Sequence, residues 1–537
     1  MITGSSNRTA PGSPLAALAA LALLLTGCST CGENPAATSS PPPDPSATPF
    51  NVVLVSVDTM RADRTNTFGY TDRKTTPNLD ALAADGIAFE NYITACPWTT
   101  PAHLSLLTGL HPSTHGMTAS FGEMWRGLYH KGEFFKLPDS RTTIAEALSS
   151  AGFRTAAFTA GGPLEPSLGF DQGFSSYGTS MYKLYEGNTR NLFDWISRNS
   201  KDQFFVFWHH FEVHAPYLNA DFVEEVVEGD RGRTVREEIA KIKAIPLSKV
   251  WPGGASIQRK KQVKVLKAHE TFDRDTCEAL YTGGALEADR WLGKLLGVLK
   301  ARGIYDRTMI VVSSDHGEEF GDHNPKLYYN IHGHILYEEM IHVPLVIKLP
   351  RSYGAGTRVS EVVQTVDVMP TILDVLDVEP AKDEMQGRSL AGFWERPKER
   401  GPEGVAFTEA MARSSEKKSI RTGRYKYILS IDAETVKEHG RGFLPVDRPL
   451  NPELYDLKKD PEERVNLMLH DPGRRIRALA ADLEKRLRAH VSSLEGKAEK
   501  TNLDEDTIKK LEGLGYIGDD ADHPIPTGTP DSGDQVD

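Results

Sequence analysis

The sequence predicts an α/β fold: a mainly parallel sheet covered by helices on both faces, followed by a smaller C-terminal α+β subdomain. Three observations predict it. Asn51-Val-Val-Leu-Val-Ser-Val57 is a continuous β-branched run ending on Asp58, the pattern of a strand buried on both faces. Runs of the same character recur at Arg154 to Thr159, Gln203 to Trp208, Thr308 to Ser314 and Val343 to Leu349. Between them lie helical stretches, one from Thr142 to Ser150 and one carrying Leu286, Trp291, Leu292, Leu295, Leu296 and Leu299 at three- and four-residue steps. Strands alternating with helices bury both faces of a sheet. A chain of 537 residues with 39% hydrophobic content supplies the core.

The N-terminal end reads as an address. Leu15 to Leu25 is apolar but too short to span a bilayer as a mature helix, and suits a secretory h-region. Leu25-Thr26-Gly27-Cys28 follows it and resembles the bacterial lipobox. That resemblance implies a lipoprotein signal peptide over 1–27, lipidation at Cys28, and an extracytoplasmic chain held at a bacterial cell envelope by its lipid anchor only. Residues 28–48 are rich in Pro, Ser, Ala and Thr and read as an extended tether. Of the four cysteines, Cys31 lies in this tether. Cys96 and Cys277 remain, and a disulfide between them is left open, though a core this large does not need one.

The folded body begins at residue 49 and its main domain runs to 395. In open α/β sheets ligands sit beyond the carboxyl ends of the strands, which is where Asp58 and Ser314-Asp315-His316 fall. Asn219 to Thr276 is charge-rich, with Arg259-Lys-Lys261, Lys264 and Lys267, and reads as a surface insertion with a solvated face. A Pro- and Glu-rich break after Leu390 separates the subdomain at 404–492. A helical segment at 493–518 and a polar, disordered tail at 519–537 complete the chain. The net charge of -12 and pI near 5.8 argue against a nucleic-acid partner, because a polyphosphate is normally met by a basic surface. An anionic substrate must therefore be met by a local site.

The most informative stretch is Pro97-Trp-Thr99-Thr-Pro101-Ala-His103-Leu-Ser-Leu-Leu-Thr108-Gly109. It resembles the signature of the sulfatase family, in which a Cys matured to formylglycine opens a CxPxR motif and a short helix ends in Leu-Thr-Gly. Thr99 takes the Cys place, Pro101 the Pro place and His103 the Arg place. Cys96 does not restore the motif, because Trp98 stands where Pro is required. Further marks follow in family order: Asp58, Thr76-Pro-Asn-Leu-Asp80, His214-Ala-Pro-Tyr217, Ser314-Asp315-His316-Gly317-Glu318, His332-Gly-His-Ile-Leu-Tyr-Glu-Glu339, Gly387-Arg-Ser-Leu390, Gly423-Arg-Tyr-Lys426 and Leu454-Tyr-Asp-Leu. The resemblance spans Asn51 to about Leu467. It implies an alkaline-phosphatase-like α/β/α sandwich and ester hydrolysis.

An aliphatic hydroxyl is a weak nucleophile unless a base or a metal draws off its proton; a divalent ion lowers the pKa of bound water from about 15.7 to about 7. Thr99 therefore calls for a metal, and the resemblance implies one divalent ion held by Asp58, Thr99, Asp315 and His316. An imidazole at His316, in place of the usual amide, favours zinc, manganese or iron; calcium stays open. Each Asp alone would also suit a helix N-cap.

The resemblance implies that His214, His332 and His103 bind the transferred group and protonate the leaving oxygen, with Lys426 as a further substrate-binding residue. His209, Glu212, His323 and His334 are additional polar candidates. His214 and His332 would serve a second ion, but the Asp such a site needs is missing before His214. With no formylglycine at Thr99, and Thr159-Ala-Gly-Gly162 where sulfatases carry Lys-Trp-His, phosphate or phosphonate ester chemistry is favoured over sulfate. A phosphotransferase acting on a glycan or lipid, and a non-catalytic binding lipoprotein, are the alternatives from other classes.

Overall fold

The structure is a computed structural model. It describes residues 50–118, 133–160, 162–179, 185–215, 217–243, 273–323, 332–379, 385–395, 404–411, 416–431, 451–469, 472–494 and 499–502. The signal peptide, Cys28 with its tether, the basic run at 259–267, nearly all of 493–518 and the tail lie outside the described residues.

Strands β1 (Asn51–Val57), β2 (Ile87–Ile93), β3 (Glu133–Lys136), β4 (Arg154–Thr159), β5 (Ser176–Thr179), β6 (Phe204–His210), β7 (Thr308–Ser313), β8 (Leu345–Lys348) and β9 (Thr357–Gln364) precede the C-terminal part. All but β3 form one sheet of order β5-β4-β6-β1-β7-β8-β2-β9. Its pairings are parallel except at β8, which runs antiparallel to both β7 and β2. The sheet is thus mainly parallel, as the alternation predicts.

Strand geometry sends successive side chains to opposite faces, and β1 supplies both cores. Val53, Val55 and Val57 join Trp208, Tyr281 and Leu295 on one side. Val52 and Leu54 join Leu104, Phe205 and Ile372 on the other. Each such Val or Leu, fully buried, contributes about 1.5–3 kcal/mol. The first face is covered by the 28-residue helix Arg274–Ala301, whose N-cap Asp273 accepts from Thr276 N. The predicted helix at Thr142 starts at Ile144, because Thr143 and Glu146 close a capping box there.

Strands β10 (Val405–Met411), β11 (Glu416–Thr422), β12 (Tyr425–Ile431) and β13 (Asn451–Asp456) form a smaller antiparallel sheet. The helix Arg474–Ser492 lays Leu483 and Leu487 on Ile420 and Leu429 of it. A third core of Ile93, Met340, Val362, Ala406 and Ile428 joins the two sheets. β14 (Glu499–Asn502) pairs with β3. Cys96 and Cys277 are buried and unpaired, which closes the open question of a disulfide.

Several expected boundaries move: the strand predicted over Val343 to Leu349 is confined to Leu345–Lys348, and two shifts bear on the site. The run predicted to end at Trp208 continues as strand through His209 and His210, paired in register with Ser56 and Val57 of β1. Ser314 lies beyond β7 rather than in it, since Ser313 is the last residue of that strand. Three adjacent strands, β6, β1 and β7, therefore deliver polar residues to one edge of the sheet.

Candidate active site and metal centre

Asp58 leaves the carboxyl end of β1, and the next residue, Thr59, adopts φ +59°. A β-branched residue is strained in that region, at a cost of about 1–3 kcal/mol, and such strain collects at functional sites. What holds it is visible: Thr59 N donates to Asp315 Oδ1 (3.1 Å) and Tyr281 Oη donates to Thr59 O (2.7 Å). Asp315 Oδ1 also accepts from His316 N (2.9 Å), which turns Oδ2 the other way. Asp58 Oδ2 is taken by His209 Nε2 at 3.0 Å, leaving Oδ1.

Asp58 Oδ1 and Asp315 Oδ2 are both buried without a hydrogen-bond partner. Burial and then the neighbouring Asp315 hold the Asp58 carboxyl well above its ordinary range. His316 Nδ1 bonds to the carbonyl of Gly317 (2.8 Å); a carbonyl only accepts, so the proton sits on Nδ1 and Nε2 faces Asp315 Oδ2 (3.3 Å) and Asp58 Oδ1 (3.7 Å) with its lone pair. Burial keeps this imidazole neutral, well below its usual pKa. Ligand atoms of Asp58, Asp315 and His316 all lie within 4.8 Å of one another. Two orphaned carboxylate oxygens and an imidazole lone pair converging in a dry site are what a bound cation relieves, so the residues fit a divalent metal ion.

Thr99 is the first residue of the helix Thr99–Thr108, and its Oγ1 lies 3.3 Å from His316 Nε2. The N-cap Trp98 supplies no side-chain cap. Pro101 has no N–H and Ala102 N bonds to Trp98 O (3.3 Å), so Thr99 and Thr100 are the first-turn amides left without an intrahelical partner, an end that favours an anion. Asp58, Thr99, Asp315 and His316, drawn from three separate parts of the sequence, meet here.

The remaining candidates divide. His332 lies beside His316, ring centroids 4.6 Å apart, and its Nδ1 is 3.3 Å from Glu318 Oε1. Glu318 is itself held by Tyr217 Oη (3.0 Å). His214 stacks on Phe211 at 4.2 Å, faces His332 at 5.2 Å, and gives its Nδ1 proton to the carbonyl of Ala215 (2.6 Å).

His103 requires a correction. Its Nδ1 bonds to Thr99 O and its Nε2 to Ser56 Oγ, each at 2.8 Å, and burial depresses its pKa to about 4. Fully buried and neutral with both nitrogens engaged, it fastens the Thr99 helix to β1 rather than meeting substrate. Lys426 requires another. Its ammonium is wholly buried between Glu463 Oε1 (2.6 Å) and Glu338 Oε1 (3.1 Å). A charge neutralised twice inside the protein is not offered to a ligand; it ties β12 to the short helix Glu338–Ile341.

His323 bonds to Glu339 (2.7 Å) and stacks on Tyr337, and Glu212 accepts from Asn219 Nδ2, so neither joins the centre. His209 joins it through Asp58. Ser56, Glu318 and the strained Thr59 were not among the expected site residues. Ser56 and Thr59 flank Asp58 at the end of a buried strand, and that position is the signal that points to them.

The Sulfatase family model matches residues 50–378. A model described as N-sulphoglucosamine sulphohydrolase, C-terminal, matches residues 328–493. The chain is similar to the ulvan-active sulfatase of Formosa agariphila, 26% identical over 359 residues, which are 65% of this chain and 65% of that one. It is also similar to the multifunctional alkaline phosphatase superfamily protein PehA of Trinickia caryophylli, 27% identical over 406 residues, 64% of this chain and 76% of that one. Among solved structures, the phosphonate monoester hydrolase of Agrobacterium radiobacter aligns with a TM-score of 0.58 at 22% identity, covering 84% of this chain and 97% of that one. That likeness is one of fold.

Proposed function

We propose, for a chain that belongs to the sulfatase family, that Thr99 is the nucleophile of a hydrolase cleaving a phosphate or phosphonate ester through a covalent Thr99 intermediate. One observation carries the reading: the Thr99 hydroxyl lies 3.3 Å from His316 Nε2, beside the converging Asp58, Asp315 and His316. A zinc, manganese or iron ion bound by that set would lower the pKa of the Thr99 hydroxyl and offset negative charge on the ester oxygens.

In the first step the Thr99 hydroxyl releases its proton to solvent and its Oγ forms a bond to phosphorus, in line with the breaking bond to the leaving oxygen. The amides of Thr99 and Thr100, at the start of that helix, stabilise the oxygens that gain charge. His332, oriented through Nδ1 by Glu318, presents Nε2 and its proton to the leaving oxygen. Burial opposes charge on His332, yet Glu318, Asp58 and Asp315 together raise its pKa above the usual value. In the second step water attacks phosphorus and the Thr99 oxygen departs, taking a proton from solvent, so that the hydroxyl is restored; His332 regains its proton and His214 releases its own through solvent. His214, its Nδ1 proton committed to Ala215 and kept neutral by burial and by His332, has an Nε2 lone pair to accept the proton of that water.

Thr99 also separates phosphoryl from sulfuryl chemistry. A hydrated aldehyde expels its ester by collapsing to the carbonyl, whereas a threonyl ester needs water to attack the sulfur or phosphorus, a route that suits phosphoryl groups. Sulfate ester hydrolysis is the second reading, favoured by the match to the Sulfatase model. Lipid anchoring at Cys28 belongs to the proposal as well. Among the described residues, no helix is long and apolar enough to cross a membrane.

The test is a panel of an aryl sulfate, an aryl phosphate, a bis-aryl phosphate and a phenylphosphonate ester, each with manganese, zinc or calcium, and Thr99→Ala as control. Turnover of the phosphorus esters that disappears in Thr99→Ala is the expected result. Turnover of the aryl sulfate alone overturns the phosphoryl preference. No turnover together with no bound metal overturns the catalytic reading.

A further inference from the structure

We infer that His209 is a positioning residue that confines Asp58 to a single metal-facing oxygen, and that this confinement sets the site against calcium. The inference rests on the reading that Asp58, Asp315 and His316 hold a divalent ion.

The geometry runs in one line. Ala160 N donates to His209 Nδ1 at 3.4 Å, which makes Nδ1 the acceptor and leaves the ring proton on Nε2. Nε2 then donates to Asp58 Oδ2 at 3.0 Å. Both side chains are wholly buried, so no water competes for that oxygen. The ring is further fixed edge-on by His103 at 4.9 Å and by Phe211 at 6.0 Å. Asp58 thus has one occupied oxygen and one orphan, Oδ1, aimed at the centre.

Asp315 is treated in the same way by different means. Two backbone amides, of Thr59 and His316, occupy Oδ1 and leave Oδ2. Each carboxylate is therefore a one-oxygen ligand, and the protein offers few donors, one of them nitrogen. Calcium takes six to eight oxygens and commonly uses both oxygens of a carboxylate, while zinc is content with four ligands of mixed type. Releasing Asp58 Oδ2 from His209 would let Asp58 swing to two-oxygen coordination. The lock on Asp58 is a side chain and can be removed by substitution; the lock on Asp315 is backbone.

The test is calorimetric titration of the metal-stripped full chain with manganese, zinc or calcium chloride in separate runs, for the native protein, His209→Leu and His209→Gln. The amide N–H of Gln reaches the oxygen that Nε2 reaches. Native protein is expected to bind one manganese or zinc ion per chain, and calcium far more weakly. His209→Leu is expected to lose about 10–100-fold in manganese and zinc affinity and to narrow the manganese-to-calcium ratio by about tenfold, with His209→Gln close to native. Where the Leu variant does not fold, His209→Asn, whose shorter amide stops short of Asp58, takes its place. Native-like affinities without the His209 donor, or equal losses for manganese and calcium, overturn the inference while leaving the metal site intact. A native chain that binds none of the three ions overturns the metal-site reading itself, and the inference with it.

Discussion

The Nε2 atom of His316 stands 3.3 Å from the hydroxyl oxygen of Thr99, across 217 residues of sequence. One follows β7 and the other opens a helix after β2, and the same Nε2 faces the orphaned oxygens of Asp58 and Asp315. This relationship makes the hydroxyl, and not merely the fold, the target for substitution. Thr99→Ala is expected to lower kcat by at least about a thousandfold, and Thr99→Ser to retain measurable turnover, in a steady-state assay on the best ester of the panel. Thr99→Ala turning over at the native rate would remove Thr99 from the chemistry.

Metal removal has a stability readout that needs no substrate. A ligand at a hundred times its dissociation constant stabilises the native state by about 2.7 kcal/mol. Thermal melting with and without a chelator is expected to show that difference as a lowered Tm for the native chain. Asp315→Asn is expected to abolish the difference, because Oδ2 is one of the three convergent donors. An unchanged native Tm on chelation contradicts metal binding at this place.

Much of this arrangement is legible in the sequence. Asn51–Val57 is a strand to the residue, since a run buried on both faces carries its own signature. Asp58 and Asp315-His316 are legible as residues at the carboxyl ends of strands, and their grouping with Thr99 as one site is what the resemblance to the sulfatase signature implies. Other features depend on tertiary partners that no local pattern shows. Trp208 reads as the end of a strand, yet pairing with β1 carries it two residues further, through His210. Lys426 reads as a substrate-binding residue until Glu338 and Glu463 are brought to it from distant segments. His103 reads as a ligand group because its two structural bonds, to Thr99 O and Ser56 Oγ, exist only once the helix is docked.

Gly317 is where the metal loop meets its support. A Cβ on it would lie 1.8 Å from Glu339 O, and its own amide donates to Met340 O at 2.9 Å. Backbone cannot yield as a flexible side chain can. Gly317→Ala is expected to cost about 3 kcal/mol in urea unfolding and to weaken metal binding, since His316 is its neighbour. A loss below about 0.5 kcal/mol would mean that the loop repacks freely.

Acid sensitivity follows from buried neutral histidines away from the metal. Burial depresses His111 and His115 to about 4 from the ordinary 6.5. His115 is fixed as a neutral ring, donating from Nε2 to Pro101 O (3.2 Å) and accepting from Met117 N (3.2 Å). Between those pH values the unfolded chain binds protons that the native chain refuses. Their contribution is therefore complete above 6.5 and lost as pH falls toward about 4, at about 1.4 kcal/mol per pH unit for each group. Urea midpoints of the metal-free protein from pH 7 to 4.5 are expected to fall accordingly. His115→Gln, which keeps the bond to Pro101, is expected to flatten the slope; an identical slope would exclude His115 as a contributor.

The covalent role of Thr99 is tested most directly by trapping. The metal-loaded protein is mixed with a bis-aryl phosphate, quenched in acid within the first turnover, digested and weighed by mass spectrometry. The prediction is a phosphoryl-ester mass increment on the peptide carrying Thr99, localised to that residue and absent from Thr99→Ala. Rapid product formation by a chain whose Thr99 peptide stays unmodified at every quench time would contradict it.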